Sequence, residues 1–173
     1  MKRLFIIILL VLLTTSLYSE HVPKAESNFG LVAFKNIVND QNYLAIHQEI
    51  ILSPLSFKFY DNVFNLGVSL NSLSESTHTT NTLVPSSLAV SLLLGYERYI
   101  NNNVSIAFDV GTGIGFITSC DSIYLIIGGN LASYYYFNKS FAIGGKINLY
   151  YNKLSYGAKI AVSAVYRFNG GIL

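Results

Sequence analysis

Residues 104–116 read VSIAFDVGTGIGF. Val104, Ile106, Phe108, Val110, Thr112, Ile114 and Phe116 are bulky or β-branched, while Ser105, Ala107, Asp109, Gly111, Gly113 and Gly115 between them are tiny or charged. Alternation with period two means a β-strand with two unlike faces. A soluble strand turns its bulky face to a core and sets long, solvated side chains on the other. Here the second face has almost no bulk and suits a crowded interior, so the bulky face needs apolar surroundings of another kind.

The alternation recurs. Candidate strands are 27–36, a second ending at Tyr60 and starting between Tyr43 and Ser53, then 63–72, 87–100, 104–118, 123–137, 141–151 and 155–169. Asp61-Asn62, Asn101–Asn103 and Asn138–Ser140 supply tight turns, because Asn tolerates the positive φ that short hairpins need. The longer connections are the region from Lys35 to about Ser53 and the polar stretch from Asn71 to Ser86. In an up-and-down arrangement alternate connections share an end, so tight turns gather at one end and longer loops at the other. Segment 37–53 fits either a loop with a short helix or the start of a long second strand. Pro54 lacks a ladder donor and argues against an unbroken strand. Hairpin parity keeps the bulky residues on one face: Phe59 with Phe64, Ile100 with Val104, Phe137 with Phe141, Leu149 with Tyr156.

The chain opens MKRLFIIILLVLLTTSLYSE. A basic start, a short apolar run from Leu4 to Leu13 and a small polar end at Ser19 describe a cleaved secretory signal. The run is half the roughly twenty residues a membrane helix needs. The expected division is a signal peptide, 1–19, and one domain, 20–173. Of eleven Lys and Arg, the loss of Lys2 and Arg3 leaves nine against nine Asp and Glu, a net charge of zero. That excludes a basic patch for nucleic acid. Cys120 is the only cysteine, so no internal disulfide forms. Charged residues are 12% and hydrophobic ones 51%; a secreted chain this poor in charge suits a barrel in lipid.

The inward face collects Glu97, Asp109, Lys146, Lys159 and Arg167, too few charges to cover a water-facing outside. Lys146 and Lys159 are expected directly opposite each other across the last hairpin. Facing ammonium groups repel, so Glu97 and Asp109 are the acids expected to neutralise this lumenal network. Aromatic residues form two bands of the kind found at membrane interfaces. Tyr96, Tyr99, Tyr134–Phe137, Phe141, Tyr166 and Phe168 lie near the tight turns, with Tyr150, Tyr151 and Tyr156 near the other end. Arg98 has lipid-facing parity close to a turn, where it can reach head groups.

With its signal, eight alternating strands, tight turns at one end and charged interior, the chain resembles the small OmpA/OmpX-type outer-membrane barrels over roughly residues 27–169. Those proteins often end on an aromatic residue. Here the last residues are FNGGIL, and Phe168 and Tyr166 are the nearest aromatics. The expected fold is an all-β, eight-stranded antiparallel up-and-down transmembrane β-barrel, integral to a bacterial outer membrane.

Motifs for chemistry are sparse. His21, His47 and His78 have no metal-ligand spacing, and GTGIG around Gly113 has no helix after it to hold a phosphate. Known barrel enzymes acting on lipid acyl chains use a His with a nearby Ser and an acid. His78 has Ser76 and Glu75 beside it, but in a polar stretch that reads as a loop. Glu75, Ser76, Thr77, His78, Thr79 and Thr80 are therefore the candidate binding loop, because loops on rigid scaffolds carry function. The expectation is an outer-membrane surface protein, structural or binding through its loops by adhesion or host-factor contact, without catalysis, cofactor or metal. Its partners are outer-membrane lipid and a host or environmental ligand. The alternatives are a narrow pore, a lipid-acting barrel enzyme, and a soluble secreted lipocalin-like binding barrel.

Overall fold

The computed structural model describes residues 20–37, 40, 42–76, 83–117, 122–153 and 155–168. The expected signal peptide lies outside them. Strand β1 is Glu20–His21. The long strands are β2 (Lys24–Asn36), β3 (Asn42–Phe59), β4 (Asn62–Ser76), β5 (Leu83–Tyr99), β6 (Val104–Ile117), β7 (Ser122–Tyr136), β8 (Phe141–Asn152) and β9 (Ser155–Arg167). From β2 to β9 each pairs antiparallel with the next, and β9 pairs back onto β2. The result is a closed barrel of eight strands, with β1 added beside the turn-end half of β3.

Following the pairs round fixes its shape. Ala25 pairs with Leu52, then Val68, Leu92, Thr112, Ile127, Tyr151, Tyr156 and finally Lys35. The circuit returns to β2 ten residues along, from 25 to 35. With a rise near 3.3 Å and strands about 4.8 Å apart, that stagger tilts the strands by about 40°. A strand of 12 residues, like β8, then rises about 30 Å, enough to cross the hydrocarbon of a membrane.

Alternation decides which side chains line the outside. Phe29, Leu31, Ile50, Leu70, Leu92, Leu94, Ile114, Leu131, Ile147 and Ile160 are exposed, and each alternates with a small or polar inward neighbour. A continuous exposed apolar belt of this extent rules out the soluble lipocalin-like alternative, in which these residues would form the core.

Several expected details change. Of the two readings of 37–53, the start of a long second strand holds: β3 begins at Asn42, and there is no helix among the described residues of the segment. Pro54 is accommodated by a bulge: Leu52 pairs with Val68 but Leu55 with Leu66, so two residues of β3 oppose one of β4. Pro85 is treated alike, with a register shift at Leu73/Ser74. Expected loop 71–86 shrinks, since β4 runs to Ser76 and β5 starts at Leu83. The first tight turn is Tyr60-Asp61 rather than Asp61-Asn62, with Tyr60 at φ 52°. Phe64 consequently pairs with Phe57, not Phe59. The last hairpin also slips by two. Tyr151 pairs with Tyr156, and Asn152 Oδ1 accepts from Ser155 N at 2.8 Å. A slip of two preserves the faces. The other Asn turns keep their expected register: Asn101 Oδ1 accepts from Val104 N at 2.9 Å and Asn138 Oδ1 from Phe141 N at 2.8 Å.

The inward small residues let the strands close. A Cβ on Gly30 would overlap the carbonyl oxygen of Ile160 and the Cα of Ala161 on β9. Gly30→Val is expected to lower stability by about 1–3 kcal/mol through overpacking at the closing seam. The urea midpoint of the vesicle-refolded barrel measures it, and an unchanged midpoint would show the seam to be slack.

Candidate functional site: the charged interior and the loop-end rim

The lumen is filled in layers. At the turn end Val22, Val63, Tyr99, Tyr134, Tyr136 and Val165 pack into an apolar floor. At the loop end Val32, Phe34, Ala45 and Tyr150 form a second apolar cluster. Tyr99, Tyr134, Tyr136 and Tyr150 therefore point into the barrel and do not belong to the interfacial bands. Their positions in the alternation, opposite to Tyr135, Phe137 and Tyr151, put them there.

Between the two clusters runs a column of charges. β2 contributes Lys24 and Glu26, β3 Glu49, β5 Glu97, β6 Asp109, β8 Lys146, and β9 Lys159 and Arg167, all buried. Among the described residues these buried groups are four cations and four carboxylates. Arg167 and Glu97 are both fully buried and form an ion pair. Glu97 also accepts hydrogen bonds from Ser105 Oγ at 2.7 Å and Tyr136 Oη at 2.8 Å. Lys24 lies 3.9 Å from Glu97 and 3.2 Å from Glu26. Lys146 Nζ donates to Glu26 at 3.1 Å and Glu49 at 3.3 Å. Glu26 accepts from Tyr134 Oη at 3.0 Å, and Glu49 from Asn28 Nδ2 at 2.9 Å. Signs alternate along Arg167, Glu97, Lys24, Glu26, Lys146 and Glu49, so each of these six buried charges has an opposite neighbour within ion-pair reach, as burial demands.

The structure places all five sequence-derived lumenal residues inside but joins them differently. Lys146 pairs with Ala161 and Lys159 with Asn148, so the two lysines are not directly opposite; the slipped hairpin separates them. The acids that reach Lys146 are Glu26 and Glu49, not Glu97 and Asp109. Lys159 lies 3.1 Å from His47 Nε2 and 3.4 Å from Asn71 Oδ1. Asp109 joins none of these ion pairs; it lies over Gly95, where a Cβ would overlap its Oδ1. Lys24, Glu26, His47 and Glu49 escaped the sequence reading. For the first two the signal was present, since Lys24, Glu26 and Asn28 alternate with Ser27 and Phe29. For His47 and Glu49 it was masked, because Ile46 and Ile50 face out while Ile51 faces in.

In the candidate binding loop, Glu75 and Ser76 are the end of β4, with Glu75 paired to Ala45 and Val84 and Ser76 to Leu83. Thr77, His78, Thr79 and Thr80 lie outside the described residues, as does Cys120. The loop-end connections are 37–41, 77–82, 118–121 and 153–154. Among the described residues no group of three or more His, Cys, Asp or Glu is placed to hold a metal ion.

No protein-family model matches the sequence. No curated protein matches it either. Solved structures do match. Neisserial surface protein A superposes with a TM-score of 0.62 at 9% identity, over 86% of this chain and 100% of that one. Ail, the attachment invasion locus protein of Yersinia pestis, gives 0.58 at 13% identity, over 86% and 99%. The fold is that of the small eight-stranded outer-membrane barrels. Ail in complex with the heparin analogue sucrose octasulfate matches at 0.54 and 14% identity, again over 86% and 99%. At such identities the likeness is one of fold.

Proposed function

We propose that the chain is an integral surface protein of a bacterial outer membrane, with residues 1–19 removed as a signal peptide. In this reading the turn end faces the periplasm and the loop end faces outward, contacting a host or environmental molecule. It carries no catalysis. The observation that carries this is the sealed interior. Glu97 and Arg167 are buried together with the packed turn-end floor of Val22, Val63, Tyr134, Tyr136 and Val165, which argues against a pore. With the lumen serving stability, the loop-end rim is the part free to act. Support in kind comes from the structural neighbours, one a surface protein and one an attachment protein solved with a heparin analogue.

The test replaces residues 77–82 with a Gly/Ser stretch of equal length, leaving paired strands β4 and β5 intact. Cells displaying the parent barrel are expected to adhere to host-cell monolayers and to immobilised heparin above cells lacking it. The replaced loop is expected to bring adhesion down to the background, while the barrel keeps its faster migration on gels of unboiled samples. Adhesion that survives the replacement sinks the assignment to this loop.

A further inference from the structure

The geometry points to a phospholipid-phosphate site on the lipid-facing wall at the turn end, centred on Arg98. Among the described residues, the outward-facing basic positions within the barrel strands are Lys35 and Arg98. Lys35 lies at the loop end and is paired with Asp40 at 2.6 Å. Arg98 enters no ion pair among the described residues. Asp61, in the turn before β4, does not engage it.

The surroundings say what would. Arg98 pairs across the sheet with Asn62 on one side and Ile106 on the other. One outward step toward the membrane centre is Tyr96, whose ring lies 5.4 Å from that of Phe64 and whose hydroxyl donates to Asn62 Oδ1 at 2.6 Å. Tyr96 thus has an apolar contact on its ring and a polar one at its tip, as expected where hydrocarbon gives way to head groups. Leu94 and Leu92 continue the apolar belt beyond it. Arg98 is two residues further out, about 6–7 Å along the strand, at the depth of lipid phosphates. A guanidinium offers a planar fork that matches phosphate oxygens. Ile106 is exposed level with it, and Tyr96 and Leu94 are exposed on its membrane-centre side; they offer acyl chains a surface and a free phosphate ion nothing. The occupant is therefore a membrane phospholipid, and a net-anionic headgroup is favoured because no headgroup amine competes with Arg98 for the phosphate.

This site rests on the membrane-spanning fold and not on what the loop end contacts, so the two stand or fall separately. The barrel is reconstituted in vesicles of equal phosphatidylglycerol and phosphatidylcholine and gently solubilised, and co-retained lipid is counted by native mass spectrometry. The parent is expected to retain phosphatidylglycerol preferentially. Arg98→Gln is expected to cut the ratio about five-fold, the effect of one basic group near a charged membrane surface. Lys35→Gln, with its charge already paired, should leave the ratio unchanged. Millimolar inorganic phosphate should not displace the lipid; displacement would replace the assignment with a small-anion site. No preference in the parent, or equal ratios in parent and Arg98→Gln, overturns it. Because the parent ratio and the phosphate competition need no variant, a folding defect in Arg98→Gln leaves both readouts standing.

Discussion

Glu97→Ala is expected to lower the folding stability of the barrel by about 3–5 kcal/mol. Glu97 and Arg167 have no exposed surface, and their ion pair sits among Tyr136, Ser105 and Lys24. Removing the carboxylate strands the guanidinium in a dry, low-dielectric interior. Its remaining partners are neutral: Tyr136 Oη at 3.1 Å and the Val22 carbonyl at 3.3 Å. Neither offsets a full charge. Lys24 would also lose its weaker contact with Glu97 but keeps Glu26. The double variant Glu97→Leu/Arg167→Met is expected to recover most of the loss, because replacing both members of a buried pair removes the desolvation cost along with the attraction. Urea titrations of the vesicle-refolded proteins give the values. Single losses that simply add in the double variant would show that the two residues stabilise the barrel independently, contrary to the contact described.

This interior also shows where sequence reasoning stops. The facing of side chains was legible because a strand's period is two, and a register slip of two residues leaves every face unchanged. Phe64, Leu149 and Tyr156 all changed partners without changing sides. Contacts are not protected in that way. The same slip parted Lys146 from Lys159, and the acids that neutralise Lys146 come from β2 and β3, far away in sequence and adjacent only after the barrel closes. Tyr134 and Tyr136 illustrate the limit from the other side. In a run of three tyrosines and a phenylalanine (Tyr134–Phe137) composition implies an interfacial band, yet strand alternation sends every second ring inward. There, two of the hydroxyls hold Glu26 and Glu97. Pro54 is legible in sequence as an obstacle to a ladder, but the remedy, one extra residue in a bulge, depends on the partner strand.

The outer face supports a prediction of opposite character. Leu92→Arg is expected to destabilise the vesicle-embedded barrel by about 2–4 kcal/mol, the cost of a cation on the lipid face near the bilayer midplane. Leu92 is 62% exposed, so by burial alone a substitution there should be nearly neutral. It pairs with Val68 and Thr112 on strands whose outward neighbours are Leu66, Leu70, Val110 and Ile114, so no acid on this face is placed to meet the new charge. It stands seven residues from the turn-end limit of β5 and nine from its loop-end limit, too deep for an arginine to bring its head group into water without deforming the bilayer. Position 98 supplies the internal control, because there the protein already carries an arginine facing the same way, and Arg98→Leu should shift the urea midpoint much less. A penalty at 92 that vanished in vesicles of shorter-chain lipid would identify membrane thickness as its origin, since a thinner film brings water closer to the same residue. A Leu92→Arg barrel as stable as its parent in bilayers of every thickness would mean that water, not hydrocarbon, covers this face, and the membrane-spanning account of VSIAFDVGTGIGF and its sister strands would fail with it.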